Sequence, residues 1–313
     1  MLHFIVNPNA GGENGYRLWK GLERRLNRLK TEYQVVLTGG RGDARLIAAE
    51  LTSGPDAGVP GEETVLVGVG GDGIMNEIAD GVRISDDLIL GYIPVKSGTD
   101  LARGLRLPRR ASACLDRILA RRDIRKIDYG VLDYGGDEPR HRRFLVSAGC
   151  GFEAGVTETL RLYNERGRLS GIPVIRSAAD GAAYLRCLLN LRTVRGGLLL
   201  DGERRIELNH IFLMSALIQP TENGRKLAPG SSSTDGMLTV SVLHNASKVR
   251  QISTLTTSGF RISPNDAGVR MYSCREVKVV LEEPVPLHAD GESCGRQAEF
   301  VMRCVKQKLQ IIC

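Results

Sequence analysis

The chain has 313 residues, 42% of them apolar and 25% charged, an ordinary globular composition with enough apolar content for about two domains. Its formal charge of +7 calls for an anionic partner without choosing among nucleic acid, phosphorylated metabolites and acidic membrane surfaces. The seven cysteines are odd in number and scattered with no Cys-x-x-Cys pair, which suggests neither a disulfide framework nor a zinc site and fits a reducing cytosol. No run approaches about 18 apolar residues and no basic, apolar leader precedes the first strand, so any membrane contact is expected to be peripheral.

In chain order, LHFIV (2–6) reads as a strand, NPNAGG (7–12) as a turn, and Tyr16 to Leu29 as a helix with Trp19, Leu22, Leu26 and Leu29 at helical spacing. The pattern repeats as YQVVL (33–37) with a helix from about Asp43, TVLVGV (64–69) with a helix from about Gly73, and LILGYIP (88–94) with a helix from about Thr99. This alternation predicts a mostly parallel, Rossmann-like sheet that binds ligands outside the carboxyl ends of its strands. After IRKIDYGVLDYG (124–135) the texture changes to strand-like runs such as RRFLVSAG, NHIFLMSALI, MLTVSVL and REVKVVLEE, with helical patterns over Val174–Leu191 and Lys248–Ser258. The expected division is an α/β domain over 1–126 and a strand-rich, β-sandwich-like domain over 127–302, with the hinge in the strand around Asp128.

The stretch GGDGIMNE (70–77) follows a buried strand and opens a helix. Backbone amides approach an anion closely only where side chains are absent, and a helix N-terminus adds unpaired N–H groups and positive dipole. Gly70, Gly71 and Gly73 meet both conditions. Asp72 would repel a phosphate unless a cation lies between them, which points to Mg²⁺. An isolated GGDG reads equally well as a tight turn; NPNAGG and PVKSGTD (94–100), also at strand ends, favour a nucleotide site.

NPNAGG, GGDGIMNE, PVKSGTDLARGL, IDYG (127–130) and HADGE (288–292) occur in the order and approximate spacing of the diacylglycerol kinase catalytic domain family, which the chain resembles over nearly its whole length. GGDG followed by Asn-Glu is shared with the NAD kinases, whereas HADGE favours the lipid branch of bacterial soluble lipid kinases, sphingosine kinases and ceramide kinases. The resemblance implies an NAD kinase/diacylglycerol kinase-like fold of two domains, with about 303–313 returning to the first. It implies an enzyme using ATP and Mg²⁺ to phosphorylate a lipid hydroxyl at an interdomain cleft, with diacylglycerol the expected acceptor and phosphatidic acid the product. Carried over residue by residue, Glu292 is the base for the lipid hydroxyl, with Asp290 beside it. Asp72 acts through the metal and its waters, and Asp128 is a second member of that network. The ATP contacts are Asn7, Pro8, Asn9, Ala10, Gly11, Thr38, Gly70, Gly71, Asp72, Gly73, Asn76, Glu77 and Ser97. A structural Mg²⁺ site matches PGSSSTDGML (229–238), with Ser232, Asp235 and the Met237 carbonyl as ligands, and Arg103 matches a family arginine at the membrane or substrate.

Read from the residues alone, the loop after PVPLHA is a strand-to-strand turn exposing Asp290 and Glu292, and a plain hairpin would look the same. Asp128 alone reads as a surface cap, the 229–238 segment as a solvated loop, and Glu77 as a carboxylate facing the nucleotide or capping its helix. The chain departs from the family at Ile74, where threonine is usual, and at Lys96 and Thr99, which replace Gly and Asn; Ser97 keeps a hydroxyl and Lys96 offers a replacement charge. These changes leave open a kinase of another acceptor, such as phosphatidylglycerol, a sphingosine-like lipid or a soluble alcohol, and a degenerate nucleotide-binding protein.

Arg103, Arg106, Arg109, Arg110, Arg117, Arg121, Arg122, Arg125 and Lys126, followed by RHRR (140–143), make a basic stretch. Such runs are commonly solvated faces. In a lipid kinase each charge near an anionic leaflet contributes about 1 kcal/mol, so this face is expected to dock a cytoplasmic enzyme peripherally on membrane. With no recognition motif and little aromatic interleaving, nucleic acid is not expected. A homodimer is compatible with the resemblance.

Overall fold

The computed structural model describes residues 1–12, 14–53, 63–165, 193–245 and 268–313, with Arg186, Ser263, Asn265 and Asp266 as isolated positions. The helical patterns at Val174–Leu191, Arg186 apart, and at Lys248–Ser258 lie outside the described residues. The chain divides into two units, Met1–Tyr129 with Lys306–Cys313, and Gly130–Val305.

In the first unit the strands are β1 (Leu2–Val6), β2 (Gln34–Leu37), β3 (Thr64–Gly70) and β4 (Leu88–Pro94). They pair in the order β2-β1-β3-β4, all parallel, and the C-terminal residues Gln310 and Ile311 add a further parallel partner beside β4. Parallel strands covered on both faces need continuous apolar runs, which is why LHFIV and LILGYIP are buried throughout. Helix α1 (Asn14–Arg28) buries Trp19, Leu22 and Leu26 on one stripe. Trp19 packs tilted against Phe4 of β1, ring centroids 5.0 Å apart at 51°, with Tyr33 edge-on to both rings.

Helices α2 (Asp43–Ser53) and α3 (Asp72–Gly81) follow β2 and β3. They meet so closely that a Cβ on Gly81 would stand 2.1 Å from the Arg45 carbonyl oxygen. The helix expected from Thr99 is two pieces, α4 (Asp100–Gly104) and α5 (Ala111–Leu119). Pro108 between them lacks the N–H that an unbroken helix needs.

Strand β5 (Ile124–Tyr134) carries the chain into the second unit, where β6 (Arg140–Phe144), β7 (Ser147–Gly151), α6 (Phe152–Glu165), β8 (Val194–Leu200), β9 (Arg204–Ile211), β10 (Leu213–Leu217), β11 (Leu238–Leu243), β12 (Val269–Cys274), β13 (Glu276–Ala289) and β14 (Glu292–Ile312) follow. The pairings within this unit are antiparallel, running β12-β11-β10-β7-β13 on one side and β9-β8-β13 on the other. Strand β13 changes partners along its length: Val277–Leu281 pair with β8, the register shifts between Val280 and Val285, and Leu287–Ala289 pair with β7. Pro284 has no N–H to give a continuous ladder, so the break falls where the sequence reads EEP. The core includes Leu132, Phe144, Leu198, Met214, Val240, Val279 and Phe300.

Replacing Gly81 by alanine forces backbone against backbone. Gly81→Ala is expected to lower stability by about 3 kcal/mol, the upper end for overpacking, read from the urea midpoint at constant slope.

Candidate active site

The loops leaving β1, β3 and β4 lie side by side in the first unit. Asn7 N donates to the Val69 carbonyl at 2.9 Å and Val95 N to the Gly70 carbonyl at 2.8 Å, tying the outer loops to the middle strand. In the first loop Asn9 N donates to Asn7 Oδ1 at 3.0 Å, and the chain turns at Gly11 (φ 65°), beyond Pro8 and Ala10. A Cβ on Gly11 would meet Val95 Cγ1 at 3.2 Å and Lys96 Cε at 3.6 Å, so the third loop lies across the first.

The glycines at the end of β3 and in the GGDG turn have two different functions. A Cβ on Gly68 would lie 2.5 Å from Met75 Sδ, and one on Gly70 would lie 3.0 Å from Ile74 Cγ2; these two positions let α3 settle on β3. Around Gly71 and Gly73 a Cβ would meet nothing within 4 Å. Gly71 is the N-cap of α3 and brings no side-chain hydrogen bond to the first amides of that helix, of which Ile74 N donates to the Gly71 carbonyl at 3.2 Å. Ile74 is buried against β3 and does not face the loop mouth. Open amides at an uncapped helix start are the chemistry of a phosphate cradle.

Asp72 is largely buried beside this turn. Tyr92 Oη donates to its Oδ1 at 3.0 Å and Leu101 N to its Oδ2 at 3.1 Å. Burial raises its pKa, offset only in part by hydrogen bonds from Thr99, Leu101 and Tyr92. Asp128 is fully buried, which corrects the surface-cap reading, and its Oδ1 accepts Gln307 N at 2.7 Å. Glu77 accepts Gly42 N at 3.0 Å and Ala44 N at 3.2 Å, so it caps the start of α2, neither its own helix nor an open site. Thr38 and Asn76 are buried, and the Thr38 hydroxyl donates to the Val6 carbonyl at 3.4 Å. Ser97 and Lys96 are exposed.

In the second unit β13 and β14 join through the two-residue turn Asp290-Gly291, with φ 46° and 77°, a type I′ hairpin. Neither carboxylate is fully exposed, contrary to the expectation. Asp290 folds back to accept the amides of Leu145, Val146 and Ser147 at 2.7, 2.9 and 2.8 Å. Glu292, the first residue of β14, is half-buried, with Arg142 Nη1 at 3.8 Å from its Oε2.

The loop expected to hold a structural metal bends on itself. Asp235 Oδ1 accepts Met237 N at 2.9 Å and Ser232 Oγ lies 3.1 Å from Thr234 Oγ1. Among the described residues no group of three or more His, Cys, Asp or Glu side chains converges as a metal cage. Arg103 pairs with Asp100 at 2.5 Å.

Residues 1–132 match the model of the diacylglycerol kinase catalytic domain, and residues 164–313 match the YegS C-terminal NAD kinase beta sandwich-like domain. Residues 1–132 thus belong to the diacylglycerol kinase catalytic domain family. The chain is an enzyme of the lipid kinase class. Among curated relatives it is 26% identical to a diacylglycerol kinase of Bacillus subtilis (strain 168) over 302 residues, covering 95% of this chain and 91% of the relative. It is 28% identical to the "Probable lipid kinase YegS-like" of Chromohalobacter salexigens over 267 residues, covering 83% of this chain and 77% of that one. A crystal structure of a diacylglycerol kinase from Bacillus anthracis superposes with a TM-score of 0.67 at 16% identity, covering 99% and 96% of the two chains. An NAD kinase from Archaeoglobus fulgidus in complex with ATP gives 0.51 at 14% identity, covering 100% and 94%. These structures share the fold.

Two residues around the Asp72 and Glu292 carboxylates were not singled out by their motifs. Tyr92, within an apolar strand run, fixes Asp72, and Arg142, counted with a solvated basic run, faces Glu292. The alternation of β6 carried that second signal, since Arg140 and Arg142 fall on one face and His141 and Arg143 on the other.

A carboxyl whose folded pKa is raised disfavours folding once it ionises. Asp72→Asn is therefore expected to gain stability relative to the parent as pH rises from about 4. The gain should level off above the folded pKa of Asp72, in denaturant titrations at several pH values.

Proposed function

We propose that this lipid kinase transfers the γ-phosphoryl group of ATP to a lipid hydroxyl, with diacylglycerol as acceptor and phosphatidic acid as product. The observation that carries the reading is the open, uncapped start of α3 at Gly71 and Gly73, flanked by two further loops and a buried aspartate. The acceptor oxygen attacks the γ-phosphorus, the bond to the β-phosphate oxygen breaks, ADP leaves, and the acceptor proton passes to the Glu292 carboxylate. The α3 amides and the NPNAGG loop hold phosphate oxygens, while Tyr92 and the Leu101 amide keep the Asp72 carboxylate in one orientation. With donors at Tyr92, Leu101 and Thr99, the Asp72 carboxylate still retains lone-pair capacity, which would suit Asp72 and Asp128 to hold Mg²⁺ through waters. When bound, Mg²⁺ supplies charge neutralisation on the phosphates.

Membrane docking belongs to the same proposal. Arg103, Arg117, Arg121 and Lys126 are paired with Asp100, Asp123, Glu63 and Asp86. Arg106, Arg109, Arg110, Arg122 and Arg125 are exposed and make no ion pair among the described residues, so they carry the attraction to an anionic leaflet. Sedimentation with vesicles is expected to rise with anionic lipid content and to fall when Arg109 and Arg110 are both replaced by serine; binding indifferent to anionic lipid would remove this part.

Transfer of ³²P from γ-labelled ATP to dispersed diacylglycerol, phosphatidylglycerol, ceramide and sphingosine tests the reaction. Label is expected in diacylglycerol, and Glu292→Gln should lose about 10²- to 10⁴-fold in rate while still binding ATP. Label in a different lipid would rename the acceptor, and an active Glu292→Gln protein would remove Glu292 as base.

A further inference from the structure

Behind the Glu292 hairpin lies a ring of polar contacts that the proposed reaction does not use directly, hydrogen-bonded at each link except the ion-pair approach of His288 to Glu222. Asp290 N donates to the Ser147 carbonyl and Ser147 N to Asp290 Oδ1, both at 2.8 Å. Ser147 Oγ donates to Glu222 Oε1 at 2.8 Å. His288 Nε2 lies 3.0 Å from the same oxygen, and Gly291 N donates to His288 Nδ1 at 3.4 Å, returning to the turn. Ser147, Glu222 and His288 are each no more than 2% exposed.

A glutamate this deep is expensive unless its charge is answered. Because Nδ1 accepts the Gly291 amide, the proton of the neutral imidazole sits on Nε2, facing the Glu222 carboxylate. The residue pinned from both sides is the turn between Asp290 and Glu292.

The geometry points to Glu222 as a positioning residue that, through His288 and Ser147, sets the direction in which Glu292 leaves the hairpin. This rests on the reading of Glu292 as the base.

The electrostatics agree. Burial opposes charge on His288, yet the hydrogen bond and charge of Glu222, with Glu153 and Asp290 behind them, raise its pKa above the ordinary 6.5. Burial pushes Glu222 upward, but His288 and the hydroxyls of Ser215 and Ser147 bring its pKa below the ordinary 4.5. The other charges nearby are themselves paired, Glu153 with Arg225 and Glu292 with Arg142. Protonating His288 at Nδ1 sets a donor against the Gly291 N–H, so the ring is intact above the folded pKa of His288 and opens as pH falls through it.

The test is kcat for phosphate transfer and Kd for ATP across pH 5 to 9 (roughly the imidazole range) in the parent, Glu222→Ala, Glu222→Gln and His288→Asn. Glu222→Ala is expected to lose about 10- to 100-fold in kcat, the scale seen when a supporting hydrogen-bond partner is removed, with ATP affinity held. Glu222→Gln, which keeps an acceptor but not the charge, should lose less than Glu222→Ala and move the acid limb to lower pH. His288→Asn, which cannot titrate, should abolish that limb. A Glu222→Ala protein with parental kcat, or an acid limb unmoved in both conservative variants, overturns the proposal. If the parent transfers no phosphate to any acceptor, the proposed function fails. The ring is then judged by ¹⁵N NMR of the imidazole: a fixed Nε2–H tautomer released by Glu222→Ala supports it, and averaged tautomers in the parent overturn it.

Discussion

Helix α3 lies so close to β3 that two strand positions accept no side chain. Gly68 and Gly70 are the cause: with hydrogen in place of methyl, Ile74, Met75 and Ile78 press directly on the strand backbone. That packing fixes where α3 begins and how it rotates. Its uncapped first turn therefore opens beside the loops of β1 and β4, Asp72 comes within reach of the Tyr92 hydroxyl, and Glu77 reaches the start of α2. The organisation of the first unit's loops is thus a consequence of core packing, with the two glycines that have open space around them, Gly71 and Gly73, one step beyond it.

The second unit solves a different problem, delivering a polar hairpin from an apolar core. Strand β13 releases β8 near Pro284 and takes up β7 at Leu287, which carries the Asp290-Gly291 turn onto the amides that precede β7. Carboxylates that accept backbone N–H groups in a buried setting hold one orientation, because any other leaves donors unmade. Asp290 is spent on this anchoring, whereas Glu292 has Arg142 beside it.

Charge shows the limit of counting. The net +7 and the arginine-rich stretch before β5 suggest one basic face, yet several of those cations are answered by nearby carboxylates and Arg142 of the RHRR run turns toward Glu292. An ion pair of exposed groups contributes little to stability, but it removes a charge from the surface that a membrane would meet. Five arginines remain to define that surface.

Much of this protein was legible in its sequence. Alternating apolar runs and helical stripes, punctuated by glycine, determine a parallel α/β unit followed by a strand-rich one, because burial periodicity is local. The order of NPNAGG, GGDG, IDYG and HADGE determines the family, because phosphate cradles and turn carboxylates need fixed residue types. Tertiary structure alone decided which glycines pack and which stay open, that Glu77 caps another helix, that Asp290 is an anchor, and that Glu222 meets His288, 66 residues away in sequence, and Ser147, 75 residues away. Those outcomes depend on which buried donors face which acceptors. That is set by strand pairing and helix approach, and a lone glutamate in PTENG carries no local mark of the histidine it will meet.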